Sequence, residues 1–289
     1  MSSPEEARTL CLLMIKIAEN CNSNLPMQQY VFTRIEEILC LTGDLDYTNE
    51  EFTKIRAKYF ASENNSQLAS SSFFRAIRST DAYLQRSASV GLAALLVYLP
   101  GDLPALIDWI IEQLTHEPLE TSLPPLLLLM RSPEARKLIA DAKGISLIVS
   151  QLIKLGVNGN AQQIYELTFC LWTVSLDKGA DHAAFLASGA IRVLSDLLAS
   201  APSRKVVRMC LATLHNLAHV EDESVLMEML TSGLQRLIET MIKSNAHTQT
   251  GDIEVEADAK ALYDALLRNF RELSTFDRWV SEVQSGALR

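Results

Sequence analysis

Hydrophobic positions along the chain fall at the three- and four-residue spacings of amphipathic helices, and one such block recurs. In residues 187–220, Ser188-Gly189 precedes an apolar series at Ile191, Val193, Leu194, Leu197 and Leu198. A break at Pro202-Ser203 follows, then a longer amphipathic segment that closes on Leu214, Asn216 and Leu217. Residues 143–155 and 232–243 repeat the first of these series, each behind a glycine. With Gly144, Gly189 and Gly233 as markers, the step is 45 residues and then 44. The copies share one predicted plan. A long helix over about 160–176 or 203–219 precedes a short one over about 180–187 or 223–231. A glycine corner then leads into a middle helix over 145–155, 190–199 or 234–243.

The rest of the chain is also helical in pattern. Ser3-Pro4-Glu5-Glu6 combines a cap, a first-turn proline and a capping-box glutamate, opening a helix to about Cys21 with Leu10, Leu13, Met14 and Ile17 on one face. A second helix is predicted over about 27–41, and Thr48-Asn49-Glu50-Glu51 opens a third to about Ser62. The polar stretch 62–72 reads as a loop or frayed turn, with helices over about 67–79 and 81–99 after it. Gly101 lies 43 residues before Gly144, marking a more degenerate fourth repeat with apolar positions at Leu103, Leu106, Ile107, Ile110, Ile111 and Leu114. Pro124 to Met130 forms a short buried helix, and Ser132 caps the next. Residues 244–254 read as a long loop, 255–272 as a terminal helix, and Ser274 as the cap of a last segment.

A period in the forties built only of helices marks an armadillo or HEAT-type array, in which each unit buries its apolar face on its neighbours. The expected fold is therefore all-α, a right-handed superhelical solenoid of armadillo/HEAT-like repeats. Its repeat domain spans 1–272, clearest over 133–272, with 273–289 as a terminal segment. Composition adds limits. Hydrophobic residues make up 48% of 289, enough for a continuous core, while 11 glycines and 9 prolines leave room for long helices. A net charge of −9 argues against nucleic acid, whose phosphates need a basic face, and favours basic segments of other proteins. Cys11, Cys21, Cys40, Cys170 and Cys210 are odd in number, lack a CxxC and sit in apolar helical patterns, so they read as reduced core thiols of a cytosolic protein. The polar, acidic start gives no signal peptide. The apolar run at 90–99 is far short of the roughly 20 residues of a membrane span, so the chain is expected to be soluble.

No catalytic pattern emerges. His215 and His219 are four apart on one helix, but Asn216 stands where an HExxH motif has glutamate, and no third ligand is in pattern. GxSxG, P-loop and glycine-rich dinucleotide turns are absent. The chain is expected to be non-enzymatic, without cofactor or metal. Its long helices should instead line an extended binding surface. Aligning residues 171–175 with 214–218 gives a predicted solvent-facing row of Gln162, Glu166, Phe169 and Thr173 in one repeat. The row of the next repeat is Lys205, Arg208, Ala212 and Asn216. Phe169 either anchors a partner beside Arg208, as aromatics and arginines do at interfaces, or tucks between repeats.

The segments LATLHNLA (211–218) and SGAIRVLSDLL (188–198) resemble the armadillo pattern. YELTFCLWTVSLDKGADHAAFLASGAIRVLSDLL (165–198) is similar to the repeat core of the H-type regulatory subunits of the vacuolar proton-pumping ATPase. The tail, LRNFRELSTFDRWVSEVQSGALR (267–289), resembles that family's L-S-S-F-D-x-Y-x-x-E-L-x-S-G-x-L, where a linker joins two domains. The resemblance implies a non-catalytic regulatory subunit at the cytosolic face of vacuolar or endosomal membranes. Such a subunit docks on the ATP-hydrolysing sector and peripheral stalk and supports coupled hydrolysis and proton transport. The family's linker continues into W-S-P-x-H and a second, silencing domain, whereas this chain stops at Arg289, and the family's N-terminal extension is missing. An isolated N-terminal domain that docks without silencing is the expectation. The alternative is an armadillo adaptor for basic peptides, such as a nuclear-import receptor. Its groove pairs a Trp with an Asn four residues on; here those pairs are Ala212/Asn216 and Phe169/Thr173, with Trp172 out of phase.

Overall fold

A computed structural model describes residues 4–284 apart from 22–23, 41–53, 55–56, 61–65, 117, 178–181, 201–202, 220–221 and 247–252. Among the described residues every regular element is a helix. The chain divides into two compact units, Met1–Gly144 and Ile145–Arg289.

The first unit holds α1 (Pro4–Asn20), α2 (Leu25–Cys40), α3 (Ser66–Ile77), α4 (Ala82–Leu96), a 3₁₀ turn (Pro100–Asp102), α5 (Leu103–Gln113), α6 (Leu123–Leu129) and α7 (Pro133–Asp141). Helix α4 is its centre. Every residue from Ser87 to Leu96 is buried, and α2, α3 and α6 pack around it. Small residues make that possible: a Cβ on Gly91 would lie 3.1 Å from the Phe73 ring, which itself meets Phe32 edge-on at 5.1 Å. At the start of α4, Asp81 accepts from the Leu84 amide, satisfying one of the free N–H groups of the first turn. Ser132 does the same for α7 through Ala135. Residues 61–65 lie outside the described residues, and the polar stretch from 66 to 72 is helical, in keeping with the helix expected over about 67–79. Helix α3 already begins at Ser66, because its serines lie ahead of a buried Phe73, Ala76 and Ile77 that anchor the turn. Most of the helix expected from Thr48 lies outside the described residues; 57–60 is helical, with Ala57 and Phe60 buried.

The second unit is built from α8 (Gly144–Leu155), α9 (Ala161–Ser175), α10 (His182–Ala187), α11 (Ala190–Ser200), α12 (Arg204–Ala218), α13 (Glu223–Thr231), α14 (Leu234–Ala246) and α15 (Ile253–Gln284). Short, middle and long helices alternate as the repeat demands. The long helices stack: α12 packs on α9 to one side and on α15 to the other. Leu211, Leu214 and Leu217 of α12 are fully buried, and each such side chain stabilises the stack by about 1.5–3 kcal/mol. Polar caps start the long helices, with Asn160 accepting from the amides of Gln162 and Gln163 and Ser203 from that of Val206.

The corners refine the repeat register. Gly189 and Gly233 have φ of 71° and 77°, the left-handed region where a Cβ is strained. In the preceding repeat the left-handed residue is Lys143, with φ 62°, one position before Gly144. Gly144 is glycine for a different reason: a Cβ there would meet the Ile139 carbonyl oxygen at 2.6 Å. Two further expectations change. Helix α14 runs on to Ala246, into the predicted loop. Ser274 lies inside a helix rather than at the start of one, since α15 is continuous from Ile253 to Gln284.

Candidate interaction surface

The predicted interaction residues all lie on α9 and α12, but the structure sorts them into different roles. Exposed Gln162 donates from Nε2 to Oε1 of Glu166 at 2.8 Å, one turn on. Phe169 is half-buried between Tyr165 and Trp172, with ring centroids 6.4 Å and 5.5 Å away. Lys205 is exposed at the start of α12. The other three are drawn into the stack. Thr173 is buried, not solvent-facing, and its Oγ1 donates to the Cys170 carbonyl at 2.9 Å. Asn216 is half-buried, and its Nδ2 donates to Ser175 Oγ at 3.0 Å, tying α12 to α9. Arg208 reaches across to α15, donating from Nε to Asp258 at 3.2 Å and pairing with Glu254. Asn216 and Arg208 flank the exposed stripe of α12 and bond to α9 and α15, whereas Thr173 is buried and bonds within its own helix.

What remains on α9 is an aromatic row of which only Phe169 is among the predicted contact residues. Tyr165, Phe169, Trp172 and Leu176 follow one another at four-, three- and four-residue intervals on one face. The three rings are half-buried and Leu176 is 52% exposed. That spacing is legible in the sequence; aligning the repeats on Asn216 selects Thr173 instead of Trp172. On α12 the corresponding stripe carries Ala212, a small residue, then His215 and His219. Their ring centroids lie 4.2 Å apart with the planes tilted by 53°, and His219 Nδ1 is 2.9 Å from the His215 carbonyl oxygen. Burial, then the neighbouring His219, hold His215 below its ordinary value, while Asp258 on α15 pulls the other way. Among the described residues no group of three metal donors forms.

Three of the thiols sit in unreactive settings. Cys170 and Cys210 are free and buried in the stack, and burial pushes both far up. Cys40, half-buried on α2, is pushed up to about 11, mainly by burial and then by Glu36. Such thiols are poor nucleophiles at neutral pH. No helix among the described residues is long and apolar enough to cross a membrane.

Stacked three-helix units with glycine corners give the chain an armadillo-type fold. A designed armadillo repeat protein superposes with a TM-score of 0.66 at 14% identity, over 88% of this chain and 99% of that one. A second, solved in complex with a (KR)4 peptide, gives 0.68 at 13% identity over 88% and 99%. At that identity the likeness is one of fold.

Sequence narrows the class. The family model for the V-ATPase H subunit matches residues 2–266, and the chain belongs to that family. The V-type proton ATPase H subunit of Dictyostelium discoideum is 26% identical over 277 residues, 93% of this chain and 59% of its own length. The second of two probable V-type proton ATPase H subunits of Caenorhabditis elegans is 26% identical over 299 aligned positions, 99% of this chain and again 59% of its own. The chain thus spans about 59% of the length of these relatives.

Proposed function

We propose that this chain is a non-catalytic scaffold and regulatory component of a vacuolar proton-translocating ATPase, docking on the cytosolic sector and peripheral stalk. There it supports coupled ATP hydrolysis and proton transport, held peripherally at the cytosolic face of vacuolar or endosomal membranes. The observation that carries this reading is the family match across residues 2–266, which takes in both compact units. A long-helix face whose side chains are suited to contact is consistent with it. The row Tyr165, Phe169, Trp172 and Leu176, with Gln162, Glu166 and Lys205 at its edges, is the docking surface in this reading, because half-exposed aromatics supply most of the energy at protein interfaces. Thr173, Arg208 and Asn216 hold that surface in shape.

The test is affinity capture with the tagged 289-residue chain from cytosol and solubilised vacuolar membranes. Recovery of the pump's stalk and ATP-hydrolysing subunits is expected. Recovery of nuclear-import carriers with no pump subunit would sink the reading in favour of a peptide adaptor. That adaptor lacks specific support here: Asn216 is turned to Ser175, and Ala212 stands where its groove has tryptophan.

A further inference from the structure

Two of the chain's five histidines come together. His215 and His219 lie four residues apart at the end of α12, so they share one face of the helix. Their ring centroids are 4.2 Å apart and their planes are tilted by 53°. Two imidazoles that hold one zinc ion through nitrogens at about 2.0–2.1 Å bring their centroids to roughly 4.5–5 Å. The pair therefore needs to open by less than about 1 Å to take an ion between its nitrogens.

The nitrogens are set for that role. His219 Nδ1 lies 2.9 Å from the His215 carbonyl oxygen, which can only accept, so Nδ1 carries the ring proton and donates it there. The lone pair is left on Nε2. Histidines that ligate metals make this same bond from their second nitrogen to a carbonyl or carboxylate, which fixes tautomer and ring orientation. Burial, then the neighbouring His219, hold His215 below its ordinary value, which favours the uncharged form that a metal takes. The helix end adds attraction for a cation. His219 caps the C-terminus of α12, where backbone carbonyls gather partial negative charge. From α15, Asp258 favours positive charge at His215 and Arg268 opposes it.

We propose that His215 and His219 together chelate an imidazole-preferring divalent ion such as zinc, with water in its remaining positions. Imidazoles suit zinc, copper and nickel, whereas magnesium and calcium take oxygen donors. Two protein donors are fewer than the three of catalytic zinc sites or the four of structural ones. Bound in this way the ion exchanges with solvent and fastens the last turn of α12, and it is not a catalytic centre. The site does not depend on which partner docks on α9.

Calorimetric titration of the chelator-treated 289-residue chain with zinc chloride at about pH 7.5 tests it. Zinc binding is expected, weakened at least tenfold by His219→Gln and by His215→Gln. His116→Gln, which removes an exposed histidine on another helix end, should leave it unchanged. His219 is exposed, so His219→Gln should keep the cooperative melt, while zinc should raise the melting temperature of the unaltered chain and not of this variant. Lowering the pH to about 5 should weaken binding at least tenfold, because protons compete for the same nitrogens. A chain that takes up no zinc, or zinc bound equally well by His219→Gln, overturns the proposal. So does a loss with His219→Gln that His215→Gln does not share, since that would be a single imidazole and not a chelate.

Discussion

At the scale of single residues, backbone angles and close approaches decide which positions tolerate change. Gly189 sits at φ 71° with open space where a Cβ would stand, so its constraint is conformational rather than steric. Gly189→Val is expected to destabilise the second unit by about 1–3 kcal/mol, read as a fall of several degrees in melting temperature. Gly101 has neither a positive φ nor a neighbour within 4 Å, and Gly101→Ala should shift stability by no more than about 0.5 kcal/mol. An unchanged melt for Gly189→Val would remove the corner from the account of the repeat. The three marker glycines look equivalent in sequence, and two are. The third, Gly144, is offset by one residue, because Lys143 takes the left-handed turn and Gly144 relieves a contact with Ile139.

At the scale of elements, the contact between α12 and α15 combines a buried seam with an exposed ion cluster. Arg208 joins Asp258 and Glu254, but its side chain is 42% exposed and its partners 38% and 68%. Solvent screening therefore limits the cluster to at most about 1 kcal/mol. Arg208→Ala should lower the urea midpoint slightly in dilute buffer, and the difference from the unaltered chain should shrink at about 0.5 M salt. A large, salt-insensitive loss would mean that the arginine's aliphatic stem, not its charge, holds the helices. His215 on the same seam gives a pH dependence. Its ordinary value is 6.5, and burial with His219 lowers it in the folded chain. The unfolded chain then binds the proton at higher pH than the folded one, so stability is complete above the unfolded value and falls as pH drops through it. Melting temperature should decline from about pH 7.5 to about pH 5.5, and His215→Phe should decline less. Equal slopes for both chains would assign the acid sensitivity elsewhere.

At the scale of the whole molecule, docking and stability separate. Substituting Phe169 and Trp172 together by alanine should reduce capture of pump subunits at least tenfold, because aromatic anchors dominate such interfaces. Both rings are only half-buried, so the double variant should keep its helical circular dichroism and its cooperative melt. Loss of the fold instead would reclassify the row as core. The repeat period, the caps and the glycine corners are legible in the sequence because they are local: a helix start needs only a side-chain oxygen and the amides two or three residues on. The inward turn of Asn216 and the capture of Arg208 are not, since each depends on a helix some 40 to 50 residues away, and the burial of Thr173 is set by packing that its own segment does not carry. The sequence by itself therefore determined the helices, their period and the family, through spacings that any stretch of chain carries within itself. Only the tertiary structure decided which side of each long helix is surface, because stacking, not periodicity, chooses which flanking residues find partners in the chain and which stay exposed.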